Sequence, residues 1–160
     1  MNLSFSKGLH RFFSRNNSPE DDNLNTGGGR QFSKEIWLID DDEVMNYITR
    51  RLIHSVSPDV KITEFLNAKM ALEKLRIEKS APHIILLDIN MPGLSGWDFL
   101  EQMTELDKNL KIFMYSSSID PDDVRKAKTY PVVCEFIPKP LEIRTIQHLL
   151  GLDEGYRKVS

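Results

Sequence analysis

Five short runs rich in apolar residues lie along the chain, and each is followed by a stretch of helical periodicity. This alternation limits the possible folds more than any other feature of the 160 residues. The runs are Glu35-Ile36-Trp37-Leu38-Ile39, Val60-Lys61-Ile62-Thr63-Glu64-Phe65, His83-Ile84-Ile85-Leu86-Leu87, Lys111-Ile112-Phe113-Met114-Tyr115 and the segment from Val132 to Ile137. The third is continuously apolar, as a strand covered on both faces is; the second alternates, as a strand near a sheet edge does. After the first run, Val44, Ile48, Leu52 and Val56 recur at helical spacing. Ala68, Ala71, Leu72 and Leu75 do the same, as do Phe99, Leu100, Met103 and Leu106. A short polar helix is predicted from about Asp122 to Tyr130, stopped by Pro131. Ile143, Ile146, Leu149 and Leu150 mark a last helix before Gly151.

Strict alternation of this kind predicts an α/β fold. A doubly wound, five-stranded parallel sheet carries five helices on its two faces, because right-handed crossovers cover the sheet. The flavodoxin-like strand order 2-1-3-4-5 is expected, and ligands of such sheets bind beyond the carboxyl ends of the strands.

The bulk properties agree with one domain. A chain 40% hydrophobic and 28% charged is not disordered throughout. The single cysteine, Cys134, rules out an internal disulfide and fits a reducing compartment. No apolar run approaches the ~20 residues of a membrane span, and the N-terminus lacks a signal-type apolar stretch, so a cytoplasmic protein is expected. The net charge of −3 is too small to argue for nucleic acid as a partner. It is unevenly spread: residues 1–34 hold five basic and three acidic side chains, +2, which leaves −5 for the rest.

Residues 1–33 are expected to be a flexible tail, residues 34–151 the folded domain, and residues 152–160 a short C-terminal tail. Asn16-Asn17-Ser18-Pro19 and Gly27-Gly28-Gly29 punctuate the first tail, and no Gly-Lys-Ser/Thr follows the glycines to make a phosphate loop. Leu3, Phe5, Leu9, Phe12 and Phe13 interleave with Lys7, His10, Arg11 and Arg15. That pattern reads either as a basic amphipathic docking segment or as a disordered tail with a few aromatics.

The polar groups that end the strands carry the chemistry. Asp40-Asp41-Asp42 end the first strand, Asp88 the third, Ser116-Ser117-Ser118 the fourth and Pro138-Lys139-Pro140 the fifth. In a parallel sheet all four segments lie at one end. Gathered carboxylates repel one another and are relieved by a cation or by protons. Hard oxygen donors suit Mg²⁺, which also binds phosphoryl oxygens. A lysine and a hydroxyl opposite the metal can hold the remaining phosphoryl oxygens. An ionised carboxylate can attack phosphorus with no general base, leaving alignment and charge stabilisation as the catalytic task. Asn90, two residues past Asp88, cannot act as acid or base, so a phosphoryl group on Asp88 should persist rather than turn over.

From about residue 35 to residue 150 the chain resembles the response-regulator receiver family of two-component signalling. The resemblance rests on Ile39-Asp40-Asp41-Asp42, Leu87-Asp88-Ile89-Asn90-Met91-Pro92-Gly93, Ser116 and Lys139-Pro140. The intervals are 47 residues from Asp41 to Asp88, 28 to Ser116 and 23 to Lys139. The resemblance implies that Asp88 is the phosphoacceptor and Asp41 a direct Mg²⁺ ligand, with Asp40 holding a metal-bound water. It further implies that Asn90 lends its backbone carbonyl to the metal, that Ser116 bonds the phosphoryl group, and that Lys139 pairs with Asp88 and then with the phosphoryl oxygens. Phe136 falls at the aromatic switch position, and Lys139-Pro140 is often a cis peptide in the family.

These implications make a histidine kinase or phosphotransfer protein the expected donor and an unidentified protein the target. With only a short segment after the last helix, a stand-alone receiver signalling by direct contact is expected. The surface formed by the fourth helix, fifth strand and fifth helix is the expected output and dimer face. Two alternatives stand beside this reading: a small aspartyl-phosphate hydrolase, opposed by Asn90, and a receiver-shaped binding module that is never phosphorylated.

Other residues have plainer readings. Asp42 is expected to cap the first helix, and Ser117 and Ser118 to serve the loop, with Ser117 in reserve for the Ser116 role. Phe136 without a hydroxyl can act only through packing. Cys134 is expected to be an inert buried thiol, Trp37 and Trp97 core or edge aromatics, and His10, His54, His83 and His148 too scattered to form a site. The fourth helix, with Val124, Ala127 and Tyr130 as its apolar anchors, is expected to be the element that moves.

Overall fold

The computed structural model describes residues 34–78, 81–103, 110–118 and 120–152. The tail 1–33, Leu106 and residues 153–160 therefore lie outside the described residues. The elements run β1 (Glu35–Ile39), α1 (Glu43–Val56), β2 (Lys61–Phe65), α2 (Ala68–Ile77), β3 (Ile84–Leu87), α3 (Gly96–Met103), β4 (Lys111–Ser116), α4 (Pro121–Ala127), β5 (Val133–Pro138) and α5 (Ile143–Leu150). Every strand pairing is parallel, and the sheet order is β2-β1-β3-β4-β5. The predicted doubly wound α/β architecture and its strand order are thus both present.

Alternation along the strands divides the core in two. Trp37, Ile39, Ile85, Leu87, Ile112 and Met114 point toward α2, α3 and α4. Ile36, Leu38, Ile84, Leu86, Phe113 and Tyr115 point toward α1 and α5. All four β3 residues are buried, which is why that run carries no polar side chain. Each such side chain contributes about 1.5–3 kcal/mol by leaving water, so the central strands dominate the stabilisation.

The helices start where the chain supplies caps. Asp42 accepts from the amides of Val44 and Met45, as expected of it, and Asn67 accepts from Met70 N. Asp120 caps α4 through Asp122 N, with Pro121 in the first turn. Gly151, at φ 65°, closes α5 in the left-handed conformation.

Three expectations need correction. On α1 the buried face is Asn46, Thr49 and Ile53, while Val44 is 68% and Ile48 41% exposed. Steps of four residues advance about 40° around a helix, so the 44-48-52-56 series drifts off one face. The predicted helix over 122–130 is the shorter α4. Thr129 N bonds Lys126 O and Tyr130 N bonds Ala127 O, so tight i−3 bonds replace the last predicted turn. Finally, Cys134 is exposed rather than buried. Ile112 pairs with Val133 but Phe113 pairs with Glu135, so Cys134 is the extra residue of a bulge on an edge strand.

Candidate functional site

The switch point of the sheet lies between β1 and β3, where the chain turns to opposite faces. Asp40 directly follows β1 and Asp88 directly follows β3. Their backbones are tied across the sheet ends: Asp88 N donates to Ile39 O at 2.9 Å and Asp40 N to Phe65 O at 3.0 Å. Asp40 is 2% and Asp88 6% exposed, while Asp41 is open to solvent. One carboxylate oxygen from each of the three lies within 4.8 Å of the others.

Lys139 enters from the opposite edge. Its amide donates to Ser116 O at 3.0 Å, which pins the segment after β5 to the end of β4. Its ammonium stands 2.5 Å from Asp40 Oδ2 and 3.3 Å from Asp88 Oδ2, with both partners almost fully shielded. Burial draws the Lys139 pKa down, but its contacts with Asp40 and the charge of Asp88 outweigh that, and the net direction is upward. Burial also pushes the Asp40 carboxyl upward against its pairing with Lys139. Lys139 therefore stays an ammonium. The Lys139-Pro140 peptide is cis, in keeping with the resemblance.

Several bonds use carboxylate oxygens on the protein side. Asp40 Oδ1 accepts from Asp42 N at 3.0 Å, and Asp88 Oδ1 accepts from Ile89 N at 2.8 Å. Asp40 Oδ2 is buried with no hydrogen bond, only the ion pair with Lys139. Three carboxylates facing one ammonium leave an excess of negative charge. A hard divalent cation fits this set of oxygens.

The remaining predicted residues have varied surroundings. Ser116 is 1% exposed at the end of β4, and its Oγ accepts from Ser118 N at 3.3 Å. Ser117 is exposed, and Ser118 bonds Asp123 Oδ2 at 2.6 Å, the loop and helix-start role expected of it. Asn90 is exposed in the loop after β3. Phe136 is half-buried against the core on the α2–α4 side. Of the histidines, His83 accepts from Glu35 N and His54 bonds Val60 O, which are structural positions.

Four supporting residues escaped the sequence reading. Asn46 Nδ2 donates to Asp40 O at 2.9 Å, holding the peptide behind the acidic pair. Thr49 shares a hydrogen bond with the Tyr115 hydroxyl at 3.0 Å. Polar residues at 46 and 49 spaced with Ile53 were the available signal, since buried polar side chains on a helix face have specific partners. The fourth is Gly96, whose amide donates to Ile89 O at 2.9 Å. A Cβ at Gly96 would overlap the Asp88 carbonyl oxygen and stand 3.0 Å from Ile89 Cα.

Fold and site together define a doubly wound α/β protein with a carboxylate cluster and a buried lysine at its switch point. The response regulator receiver domain family matches residues 36–150, nearly all of the described chain, and the chain belongs to that family. It is similar to the two-component response regulator ARR12 of Arabidopsis thaliana, 30% identical over 114 residues that make up 71% of this chain and 18% of that protein. The nitrate/nitrite response regulator protein NarL of Escherichia coli K12 is 34% identical over 90 residues, 56% of this chain and 40% of that one. The chain thus spans well under half of either relative. Among solved structures, a two component response regulator from Cytophaga hutchinsonii superimposes with a TM-score of 0.68 at 28% identity, covering 75% of this chain and 96% of that chain. A response regulator receiver protein from Dyadobacter fermentans gives 0.66 at 26%, covering 75% and 97%. Among the described residues, no helix is long and apolar enough to cross a membrane.

Proposed function

We propose that the chain takes a phosphoryl group on Asp88 from a phosphohistidine of a kinase or phosphotransfer protein, with Mg²⁺, and signals by direct protein contact. One observation carries this reading: three carboxylates converge within 4.8 Å and a buried ammonium stands 3.3 Å from Asp88. A carboxylate oxygen of Asp88 forms the new bond to phosphorus as the phosphorus–nitrogen bond to the donor imidazole breaks, and the leaving imidazole takes up a proton. Lys139 would leave Asp40 and Asp88 for the incoming phosphoryl oxygens, and Ser116 would bond another of them. Asp40, Asp41, Asp88 and the carbonyl of Asn90 would hold Mg²⁺, which when bound offsets the negative charge of the transferring group. Asn90 offers no acid or base for hydrolysis, which opposes the hydrolase alternative.

The test is the intact mass of the protein after incubation with a small acyl or amido phosphate, with and without Mg²⁺. One added phosphoryl group that requires the metal is expected; no addition under either condition would leave a receiver-shaped binding module. Mg²⁺ alone should also raise the unfolding midpoint, because a ligand held only by the folded state at 100 times its Kd contributes ~2.7 kcal/mol. An unchanged midpoint in saturating Mg²⁺ would count against the metal site.

The output is proposed to run through α4, β5 and α5, which is also the face proposed for dimerisation. On α4 only Ala127 is buried, so its attachment is weak. Besides the buried Ala127, Lys126 Nζ lies 4.4 Å from the ring centroid of Trp97 on α3, and Trp97 stacks on Tyr130, just past the end of α4, at 5.9 Å. Amide exchange along 121–130 is expected to change on phosphorylation more than exchange along α2, whose Ala68, Ala71, Leu72 and Leu75 are all buried. Equal behaviour of the two helices would remove α4 from the output path.

A further inference from the structure

Tyr115 is a polar-tipped residue on a face otherwise built from aliphatic and phenyl groups. It is 3% exposed and precedes Ser116, at the sheet end that carries the site. Burial raises its pKa, so the phenol keeps its proton. Its hydroxyl joins three elements. It shares a hydrogen bond with Thr49 Oγ1 of α1 at 3.0 Å and accepts from the amide of Leu141 at 3.3 Å, with Met45 Sδ 3.7 Å away.

The Leu141 bond matters because of where Leu141 sits. Lys139 is followed by Pro140, which has no N–H, so Leu141 supplies the first backbone donor after the lysine. On its other side the Lys139 amide is held by Ser116 O. The two residues either side of Pro140 are therefore tied to consecutive residues of β4, Lys139 to Ser116 and Leu141 to Tyr115. The Lys139 ammonium also lies 5.4 Å from the Tyr115 ring centroid, on its way to Asp40 and Asp88. Thr49 in turn fixes the phenol from α1, the helix whose Asn46 holds the Asp40 carbonyl.

We propose that Tyr115 is a positioning residue for Lys139: its hydroxyl clamps the Leu141 amide between β4 and α1, and its ring lies beside the lysine ammonium. This rests on the phosphoacceptor reading above for its catalytic consequence, though not for the clamp itself. A phenylalanine at 115 keeps the ring and leaves the buried Leu141 amide without its acceptor. Lys139 then samples positions away from the phosphoryl oxygens, and small displacements of such a group cost rate steeply.

The experiment is a cycle of four full-length proteins: wild type, Tyr115→Phe, Lys139→Ala and the double variant, each given a small phosphodonor and Mg²⁺ and followed by intact mass. Tyr115→Phe is expected to slow phosphoryl uptake about tenfold in the wild-type background and to have no further effect in the Lys139→Ala background. Equal slowing in both backgrounds would overturn the proposal, since a general loosening of the fold does not depend on Lys139. A second readout stands apart from phosphorylation: amide exchange at Leu141 and the ¹⁵Nζ resonance of Lys139, compared between wild type and Tyr115→Phe. Faster exchange by at least about tenfold together with a moved resonance supports the clamp; no change in either overturns it. If the wild type takes up no phosphoryl group at all, the receiver function fails, and these two signals alone decide the role of Tyr115.

Discussion

Asp88→Asn is expected to abolish phosphoryl uptake while making the metal-free protein more stable. The loss follows from chemistry: an amide oxygen carries no charge to attack phosphorus. Asp40 is engaged with Lys139 and with the Asp42 amide, and Asp41 is the solvent-exposed member of the cluster. The gain in stability follows from charge. Asp40, Asp41 and Asp88 face a single ammonium, so neutralising one carboxylate removes repulsion among the rest. The Lys139–Asp88 contact at 3.3 Å is lost, but the closer contact to Asp40 at 2.5 Å remains. A net gain on the order of 1 kcal/mol is expected, the usual direction when a strained functional site is relaxed. Saturating Mg²⁺ should narrow the difference, because the metal supplies the same neutralisation to the wild type. Urea unfolding with and without Mg²⁺, beside intact mass, checks both halves. A less stable variant would mean that the Lys139–Asp88 pair outweighs the repulsion, and uptake at the wild-type rate would place the acceptor at another residue.

Gly96→Ala is expected to damage the fold as well as slow uptake, although Gly96 touches no phosphoryl group. The first residue of α3 packs directly on the backbone that presents Asp88, and Gly96 N is bonded to Ile89 O. An added methyl has backbone on its far side, which cannot yield as the tip of a side chain could. Either α3 retreats or the Asp88–Ile89 peptide shifts. Overpacking of this kind costs about 1–3 kcal/mol, and phosphoryl uptake should fall by about tenfold or more because the Asp88 carboxylate moves with its peptide. Gly93→Ala is the control. At φ 82° it is also strained, yet nothing lies within 4 Å of a Cβ there, so the cost is confined to about 1–2 kcal/mol of backbone conformation. Its effect on uptake should be the smaller of the two. A Gly96→Ala protein with wild-type stability and uptake would show that the start of α3 yields freely.

How much of this was open to a reader of the sequence depends on the kind of information each feature carries. Asp40, Asp41, Asp88, Ser116 and Lys139 are legible because each sits where an apolar run ends, and a parallel sheet puts all such ends together. Period and run length likewise determine the helices, the strands and their parallel order, since few topologies satisfy right-handed crossovers and two-sided burial. The tertiary structure alone decided which face of α1 turns inward. Tyr115 and the main chain after Asp40 offer hydrogen bonds there that Thr49 and Asn46 can meet and Val44 and Ile48 cannot. It alone set the bulge that turns Cys134 outward, because an extra residue in one strand is defined only by how that strand pairs with its neighbour. It also gave Gly96 and Tyr115 their meaning. A close approach or a hydroxyl bridge depends on residues about eight and 66 positions away respectively, and local periodicity holds no information over such separations.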